Sequence, residues 1–324
     1  MDDSLIDKAA QTQRFHSNGK LMISGEYLVL SGALALALPV RYGQSLAVTK
    51  EHAPEAMITW TAMEKGALWF TTRLYPGKGL QQPLTADDDS PLTRNLISIL
   101  GIARDMNPAF LTGRYHWKVI TKLDFDRNWG LGSSSTLISN IAWWANADPY
   151  TLLFHTLGGS GYDIACARSK TPLLYHYRGK DQHPVVTPAH FNPPFAGQLY
   201  FVYTGRKQSS AKSLAGFDPS GADRDMTTAI NDISLKVTQT SSLNDFQKLL
   251  TEHEAIIGRA IGKDPVGQAS FADFHGVVKS LGAWGGDFLL VASDMTPAQV
   301  TAYFKDRGHR IIIPFSEMIL PHDS

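Results

Sequence analysis

A mixed α and β fold is predicted by three observations: strand-patterned apolar runs fill the N-terminal stretch, two glycine- or proline-led segments carry helical spacing, and the C-terminal part alternates strands with helices. Residues 21–40 hold apolar runs broken by Gly25 and Gly32, and Leu46–Thr49, Ile58–Trp60 and Leu68–Leu74 extend the β pattern. A polar loop with Pro76-Gly77, Pro83 and Asp87-Asp88-Asp89 follows. Ser90-Pro91 then reads as an N-cap with proline at the first helical position, and Leu92, Leu96, Ile99, Leu100 and Ala103 recur at helical spacing. Tyr115–Ile120 reads as a strand, and Gly130–Ser135 leads into a helix from Thr136 to Ala147.

The clearest boundary signal is the cluster Pro184, Pro188, Pro193 and Pro194, which divides the chain into 1–183 and 184–324. Beyond it Gln198–Tyr203 reads as a strand, and two helical stretches follow. The second is marked by Leu243, Phe246, Leu249, Leu250, His253, Ile256 and Ile257. A helix ending near Ser280, a glycine turn, the strand Phe288–Ala292, a helix from Thr296 and the strand His309–Ile313 complete the pattern. That order suits an antiparallel sheet with helices on one side. No internal repeat or low-complexity tract is visible.

The chain has 324 residues, so a soft prior of one domain per ~150 residues gives roughly two domains. Lys+Arg and Asp+Glu are 30 each, a balance that disfavours a dedicated nucleic-acid binder. The single cysteine, Cys166, excludes an intrachain disulfide and a thiolate-rich metal site. The opening Met-Asp-Asp-Ser lacks a basic start running into an apolar stretch. The most apolar stretch, Tyr27 to Val40, falls short of the ~18 residues a bilayer requires. The expectation is a cytoplasmic protein with no membrane and no nucleic-acid partner.

The most informative segment is Asn128-Trp129-Gly130-Leu131-Gly132-Ser133-Ser134-Ser135-Thr136, which stands immediately before a helix. Glycines admit a ligand close to the backbone, and hydroxyls together with free helix-terminal amides favour an anion, above all phosphate. A plain Gly-Ser loop with a serine cap is the competing reading of this segment alone. A P-loop is excluded because Leu21 follows Gly19-Lys20, and a dinucleotide fingerprint because Ser135 stands at the third glycine.

Two further segments accompany it. One is Asn18-Gly19-Lys20-Leu21-Met22-Ile23-Ser24-Gly25-Glu26-Tyr27-Leu28-Val29-Leu30-Ser31-Gly32; the other is Lys279-Ser280-Leu281-Gly282-Ala283-Trp284-Gly285-Gly286-Asp287-Phe288. In this order the three resemble the signature motifs of the GHMP kinase superfamily (galactokinase, homoserine kinase, mevalonate kinase, phosphomevalonate kinase). The resemblance runs from about residue 16 to about 290. GEYLVLSG and Gly285-Gly286-Asp287 are closer to the phosphomevalonate kinase forms than to those of mevalonate kinases. Ser160-Gly161-Tyr162-Asp163-Ile164-Ala165 resembles the segment that carries the catalytic aspartate in both groups, and it is also similar to the bacterial family named for its GYDIA motif.

The resemblance implies a two-domain α+β fold, with an N-terminal ribosomal-protein-S5-like domain and a C-terminal ferredoxin-like domain. It implies an ATP- and Mg2+-dependent kinase acting on 5-phosphomevalonate or mevalonate. The related decarboxylase, a sugar or amino-alcohol kinase, and a non-catalytic nucleotide-binding relative stay open as alternatives. By the same resemblance Asp163 orients the acceptor oxygen and takes its proton beside Lys20. Gly130, Leu131, Gly132, Ser133, Ser134 and Ser135 bind the nucleotide phosphates, with Ser134 reaching the metal, and Gly282, Gly285 and Gly286 form the third loop. The segment Tyr203 to Lys212 resembles the acceptor side of phosphomevalonate kinases, where Arg206, Ser209 and Lys212 would take an anionic acceptor; a solvated polar loop is the alternative. A homodimer is left open.

Three positions depart from the pattern. Leu152 stands eleven residues before Asp163, where mevalonate kinases carry a metal-binding glutamate. Asn18 replaces a proline, and Trp284 replaces a glycine in the third motif, where it either crowds the loop or packs beneath it. Other residues read as structural. His253-Glu254 lacks the second histidine of a zinc motif, Cys166 is a small apolar residue near the site, and Trp143-Trp144 suit a core or subunit contact.

Overall fold

Alternation and long-range pairing, rather than local propensity, define the architecture in the computed structural model, which describes residues 12–77, 82–206, 217 and 223–321. Two compact units are present. One comprises the described residues up to Ser17, Gly43–Asp126 and Ser133–Gly158; the other comprises Asn18–Tyr42, Arg127–Gly132 and the described residues from Gly159 onward. The strands β1 (Thr12–Ser24) and β2 (Leu34–His52) contribute residues to both.

In the first unit β3 (Met57–Glu64) and β4 (Ala67–Tyr75) form a hairpin, and β5 (Thr85–Ala86) adds to β4. The helix α1 (Pro91–Met106) starts where the Ser90 side chain accepts the Thr93 amide, with Pro91 in the first turn as expected. Its residues Leu96, Ile99, Leu100 and Ala103 are buried. The strand β6 (Tyr115–Leu123) runs parallel to β3 and antiparallel to residues 44–52 of β2. Trp117, Val119, Thr121 and Leu123 are buried on it and the residues between them exposed, the period-two pattern of a half-covered strand. The helices α2 (Ser133–Ala145) and α3 (Pro149–Thr156) pack with α1. The expected single helix to Ala147 stops short because Asn146 turns left-handed (φ 50°), and Asp148-Pro149 caps a new helix.

In the second unit the strand-like run Leu28–Leu30 is instead a 3₁₀ turn, entered through Tyr27 at φ 61°. The helix α4 (Tyr162–Arg168) precedes β7 (Leu173–His176), which pairs with residues 34–37 of β2 and with β8 (Val185–Pro188). The proline cluster therefore contains an edge strand, a place where a missing amide is tolerated. Next come β9 (Leu199–Tyr203), α5 (Arg224–Gln239), α6 (Leu243–Ile261) and α7 (Val266–Ser270). Then follow β10 (Val277–Leu281), β11 (Phe288–Ala292), α8 (Pro297–Asp306), β12 (Ile312–Pro314) and α9 (Phe315–Met318). The strands β10, β11, β9 and β12 form, in that order, an antiparallel sheet, the βαββαβ path of a ferredoxin-like domain.

Two expectations need correction here. The helix expected to end near Ser280 closes at Ser270, and the β-branched pair Val277-Val278 opens a strand held against β11. Helices also cover both faces of the sheet. Tyr200, Val202, Leu289 and Val291 pack with Val300 and Phe304 of α8 on one face, while Phe201 stacks on Phe315 of α9 (6.1 Å) on the other. All five β11 residues are accordingly buried, so the strand reads as a continuous apolar run.

Candidate active site

β1 and α4 bring Lys20 and Asp163 together. The Lys20 amide donates to the Leu131 carbonyl at 3.1 Å, and the Asn18 side chain donates to the Ser169 carbonyl at 2.9 Å. Ile164, Ala165, Cys166 and Ala167 are buried on α4, which leaves Tyr162 and Asp163 at its accessible start. The Tyr175 hydroxyl, donating to the Ser160 carbonyl, holds the turn before them. Lys20 Nζ lies 3.3 Å from Asp163 Oδ1 with side-chain exposures of 12% and 23%, sheltered yet open to a ligand. The Tyr162 ring centroid is 5.1 Å from the same nitrogen. Burial opposes the charge on Lys20, but Tyr162, Asp163 and Asp287 outweigh it and raise its pKa. Burial pushes the neighbouring Cys166 thiol up, which suits a packed side chain rather than a nucleophile.

The glycine loop lies against this pair. Gly130 and Gly132 have φ of 66° and 87°, a region costly for residues with a Cβ. A methyl at Gly132 would sit 3.4 Å from Lys20 Cε and 3.7 Å from Asp163 Oδ1; one at Gly130 would overlap the Asp287 carboxylate. Leu131 is fully buried, so it offers a ligand only its backbone, and its carbonyl is engaged by Lys20. Trp129 anchors the loop, with Phe288 at 5.7 Å, Tyr203 at 6.3 Å and Tyr42 at 5.4 Å between ring centroids. Ser133, Ser134 and Ser135 form the first turn of α2. Ser134 is exposed, Ser133 half-buried and Ser135 buried. Gly132 has no side chain to cap that helix, which leaves its first amides for another acceptor.

Gly282, Gly285 and Gly286 form the turn between β10 and β11, and a methyl at Gly282 or Gly285 would meet open space. The turn is held by the Trp284 amide donating to the Tyr27 hydroxyl (2.8 Å) and the Gly285 amide donating to Ser280 Oγ (2.9 Å). Beneath it lies a buried ionic cluster. Lys279 Nζ donates to Glu26 Oε1 at 2.5 Å and to the Ser280 carbonyl at 2.9 Å. His253 Nε2 accepts the Gly25 amide at 2.9 Å and lies 3.2 Å from Glu26 Oε2. Burial opposes ionisation of Glu26, yet the Lys279 ammonium prevails and holds its pKa at about 2. Burial lifts Glu254 to about 7, against the pull of Lys279 and of the Val266 and Ser280 amides that its carboxylate accepts.

On the expected acceptor segment Arg206 is exposed, with its amide on Thr204 Oγ1, while Ser209 and Lys212 lie outside the described residues. Leu152 is fully buried in α3, so that position belongs to the core. Trp144 packs on Phe110 (4.7 Å), and Trp143 is exposed with one face toward Phe15 (5.9 Å). Sequence reading assigned no role to Tyr162, Asp287, Glu26 or Lys279, although all four stand inside the quoted motifs. For Asp287 and Lys279 the signal was a charged residue bordering a glycine-rich turn.

No family model and no curated protein matches the chain. Among solved structures it is similar to a protein from Listeria innocua (16% identity, 94% of this chain and 97% of that one, TM-score 0.68). It is also similar to Streptococcus pneumoniae phosphomevalonate kinase in complex with phosphomevalonate and AMPPNP (15%, 91% and 95%, 0.64). L. major mevalonate kinase in complex with R-mevalonate is a third (15%, 98% and 99%, 0.67). The chain thus has the two-domain α+β fold of the GHMP kinases. No helix among the described residues is long and apolar enough to cross a membrane.

Proposed function

We propose that this protein is an ATP-dependent small-molecule kinase whose acceptor is 5-phosphomevalonate, with mevalonate as the next choice. The observation that carries the reading is the Lys20–Asp163 pair, 3.3 Å apart, against a loop whose Gly130 has no room for a side chain and whose Gly132 has a left-handed backbone. In the reaction the acceptor oxygen attacks the γ-phosphorus, the bond to the bridging oxygen of ADP breaks, and the acceptor proton passes to Asp163. Asp163 orients that oxygen, and the Lys20 ammonium balances the charge that spreads over the transferred oxygens. Backbone amides of residues 130–135 bind the nucleotide phosphates. Gly282, Gly285 and Gly286 would line the nucleotide side, and Arg206, with Ser209 and Lys212, the anionic acceptor. The bound substrates of the two named structural neighbours, phosphomevalonate and R-mevalonate, support this acceptor class.

Mg2+ asks for hard oxygen donors and retains several waters. The exposed Ser134 hydroxyl fits that demand, whereas the buried Leu152 offers no donor. When bound, the ion would neutralise phosphate charge. The same Leu152 favours the second reading, a relative that binds nucleotide without turnover. ATP consumption with Mg2+, with each acceptor supplied separately, distinguishes them. Turnover with one acceptor, reduced at least a hundredfold in Asp163→Asn at unchanged thermal midpoint, is expected. Nucleotide binding without turnover on either acceptor overturns the mevalonate assignment.

A further inference from the structure

A cavity of about 290 Å³ opens between α6, α7 and β10, and none of the residues lining it has a part in the roles above. Its walls are mainly apolar, with Phe271, Phe274, Pro265 and Val277 the larger side chains. Glu254 is the one charged residue of the described lining. Packing sets the walls. A methyl at Gly267 would lie 2.8 Å from the Val278 carbonyl, so α7 rests directly on β10. The Phe271 and Phe274 rings lean on Phe304, at 5.5 and 5.3 Å between centroids. Such a space is formed before any occupant arrives.

Glu254 is 2% exposed and stands on the apolar face of α6, among Phe246, Leu250 and Ile257. It reaches across to both other walls: Oε2 accepts the Val266 amide (3.2 Å) at the start of α7, and Oε1 the Ser280 amide (3.1 Å) on β10. A carboxylate has about four acceptor sites, so two amides leave capacity on both oxygens. Lys279 pulls on the same carboxylate, but its ammonium is bonded to Glu26 and to the Ser280 carbonyl. A buried acid so placed is costly unless a cation meets it. The neighbouring loop's ionisable residues are engaged elsewhere, Asp273 with Tyr303 and Arg307, and His275 with Asp294. We propose that this cavity binds a small organic ammonium, its charge on the Glu254 carboxylate and its apolar body against Phe271, Phe274 and Pro265. At the ~30 Å³ that a water occupies in the liquid, the space admits on the order of ten non-hydrogen atoms. Aromatic walls favour a cation further. The Glu254 pKa, lifted by burial to about 7 against the pull of Lys279, agrees with an acid short of a counter-charge.

The proposal stands without the kinase reading, and so does its test. The probe is benzylamine, with benzyl alcohol and benzoate as its neutral and anionic counterparts, each titrated at about pH 7 into the 15N-labelled full chain. Benzylamine is expected to saturate with a Kd of about 5 mM or tighter, moving the assigned amide resonances of Gly267, Phe271 and Val278. It should bind about tenfold or more tightly than either counterpart. Glu254→Gln removes the charge and should weaken benzylamine about tenfold or more. Because that change also touches the Val266 and Ser280 contacts, Ala272→Trp is the second variant. Ala272 is exposed at the cavity, so the indole blocks the mouth at unchanged thermal midpoint and should cost at least as much affinity. A response that does not saturate overturns the site. Equal affinity for benzyl alcohol overturns the cationic class. Binding that Ala272→Trp leaves unchanged places the amine elsewhere and overturns the proposal as well.

Discussion

Replacing Lys279 by methionine tests what holds the first and third glycine segments. Lys279 is 1% exposed and its chief partner Glu26 is 5% exposed, so methionine fills similar volume but leaves a buried carboxylate with only His253 beside it. Removing one member of a buried ion pair costs about 3–5 kcal/mol. The pKa of Glu26 gives an independent figure: a fall from 4.5 to about 2 corresponds to about 3 kcal/mol at ~1.4 kcal/mol per unit. Because the folded value is depressed, this stability is fully present above pH 4.5 and is lost as pH falls toward 2. Lys279→Met should therefore lose about 3–5 kcal/mol at neutral pH, or roughly 6–20 °C in melting temperature for a unit of this size. Its deficit against the wild type should shrink below pH 4.5. The assay is urea unfolding, which unlike guanidinium does not screen charge, on Lys279→Met, Glu26→Gln and the double variant. The double variant should be less destabilised than the sum of the singles by about 2 kcal/mol or more. A loss below about 1 kcal/mol for Lys279→Met, or strict additivity, would refute the reasoning.

Glu254 carries the opposite sign. Its folded pKa is lifted from 4.5 to about 7, so its contribution is fully present below pH 4.5 and declines as pH rises through 7, by about 3 kcal/mol in all. Burial, and then Lys279, lower the His253 pKa, which works the other way below its ordinary value of 6.5. The difference between wild type and Glu254→Gln isolates the glutamate: it should fall between pH 5 and 8, and a flat difference would sink the assignment. Cys166 should react with iodoacetamide at pH 8 about a hundredfold more slowly in the native protein than in urea, since the thiol is buried and its pKa raised. Labelling at the unfolded rate would contradict that.

Local signals in the sequence marked what local chemistry determines. Ser90-Pro91 marked the start of α1, the apolar spacing from Leu243 to Ile257 marked α6, and the glycine-serine run marked the approach to α2. Elements settled by distant partners were misread or missed. Val277–Leu281 looks helical until β11 is set beside it, and the four residues of β8 lie hidden among prolines because only β7 defines them. The candidate site divides in the same way. Lys20, Asp163 and the two loop glycines are visible because motifs name them, whereas the Asp287–Gly130 contact joins residues far apart in the chain and leaves only a bare glycine in the sequence.

Glycine-rich segments are poor at fixing their own conformation, since glycine loses more backbone freedom on folding than any other residue. Each of the three here is fixed from elsewhere in the second unit. The Leu131 carbonyl takes the Lys20 amide, the Tyr27 hydroxyl takes the Trp284 amide, and Glu26 takes Lys279 beneath both outer segments. An apolar pair could fill the last position at less desolvation cost, but apolar contacts are non-directional. A hydrogen-bonded ammonium and carboxylate fix the register between Gly25-Glu26 and Lys279-Ser280, and with it where the Tyr27 hydroxyl meets the third turn. Loss of Lys279 should therefore disorder the turn at Gly282–Gly286 before it unfolds the sheet beside it.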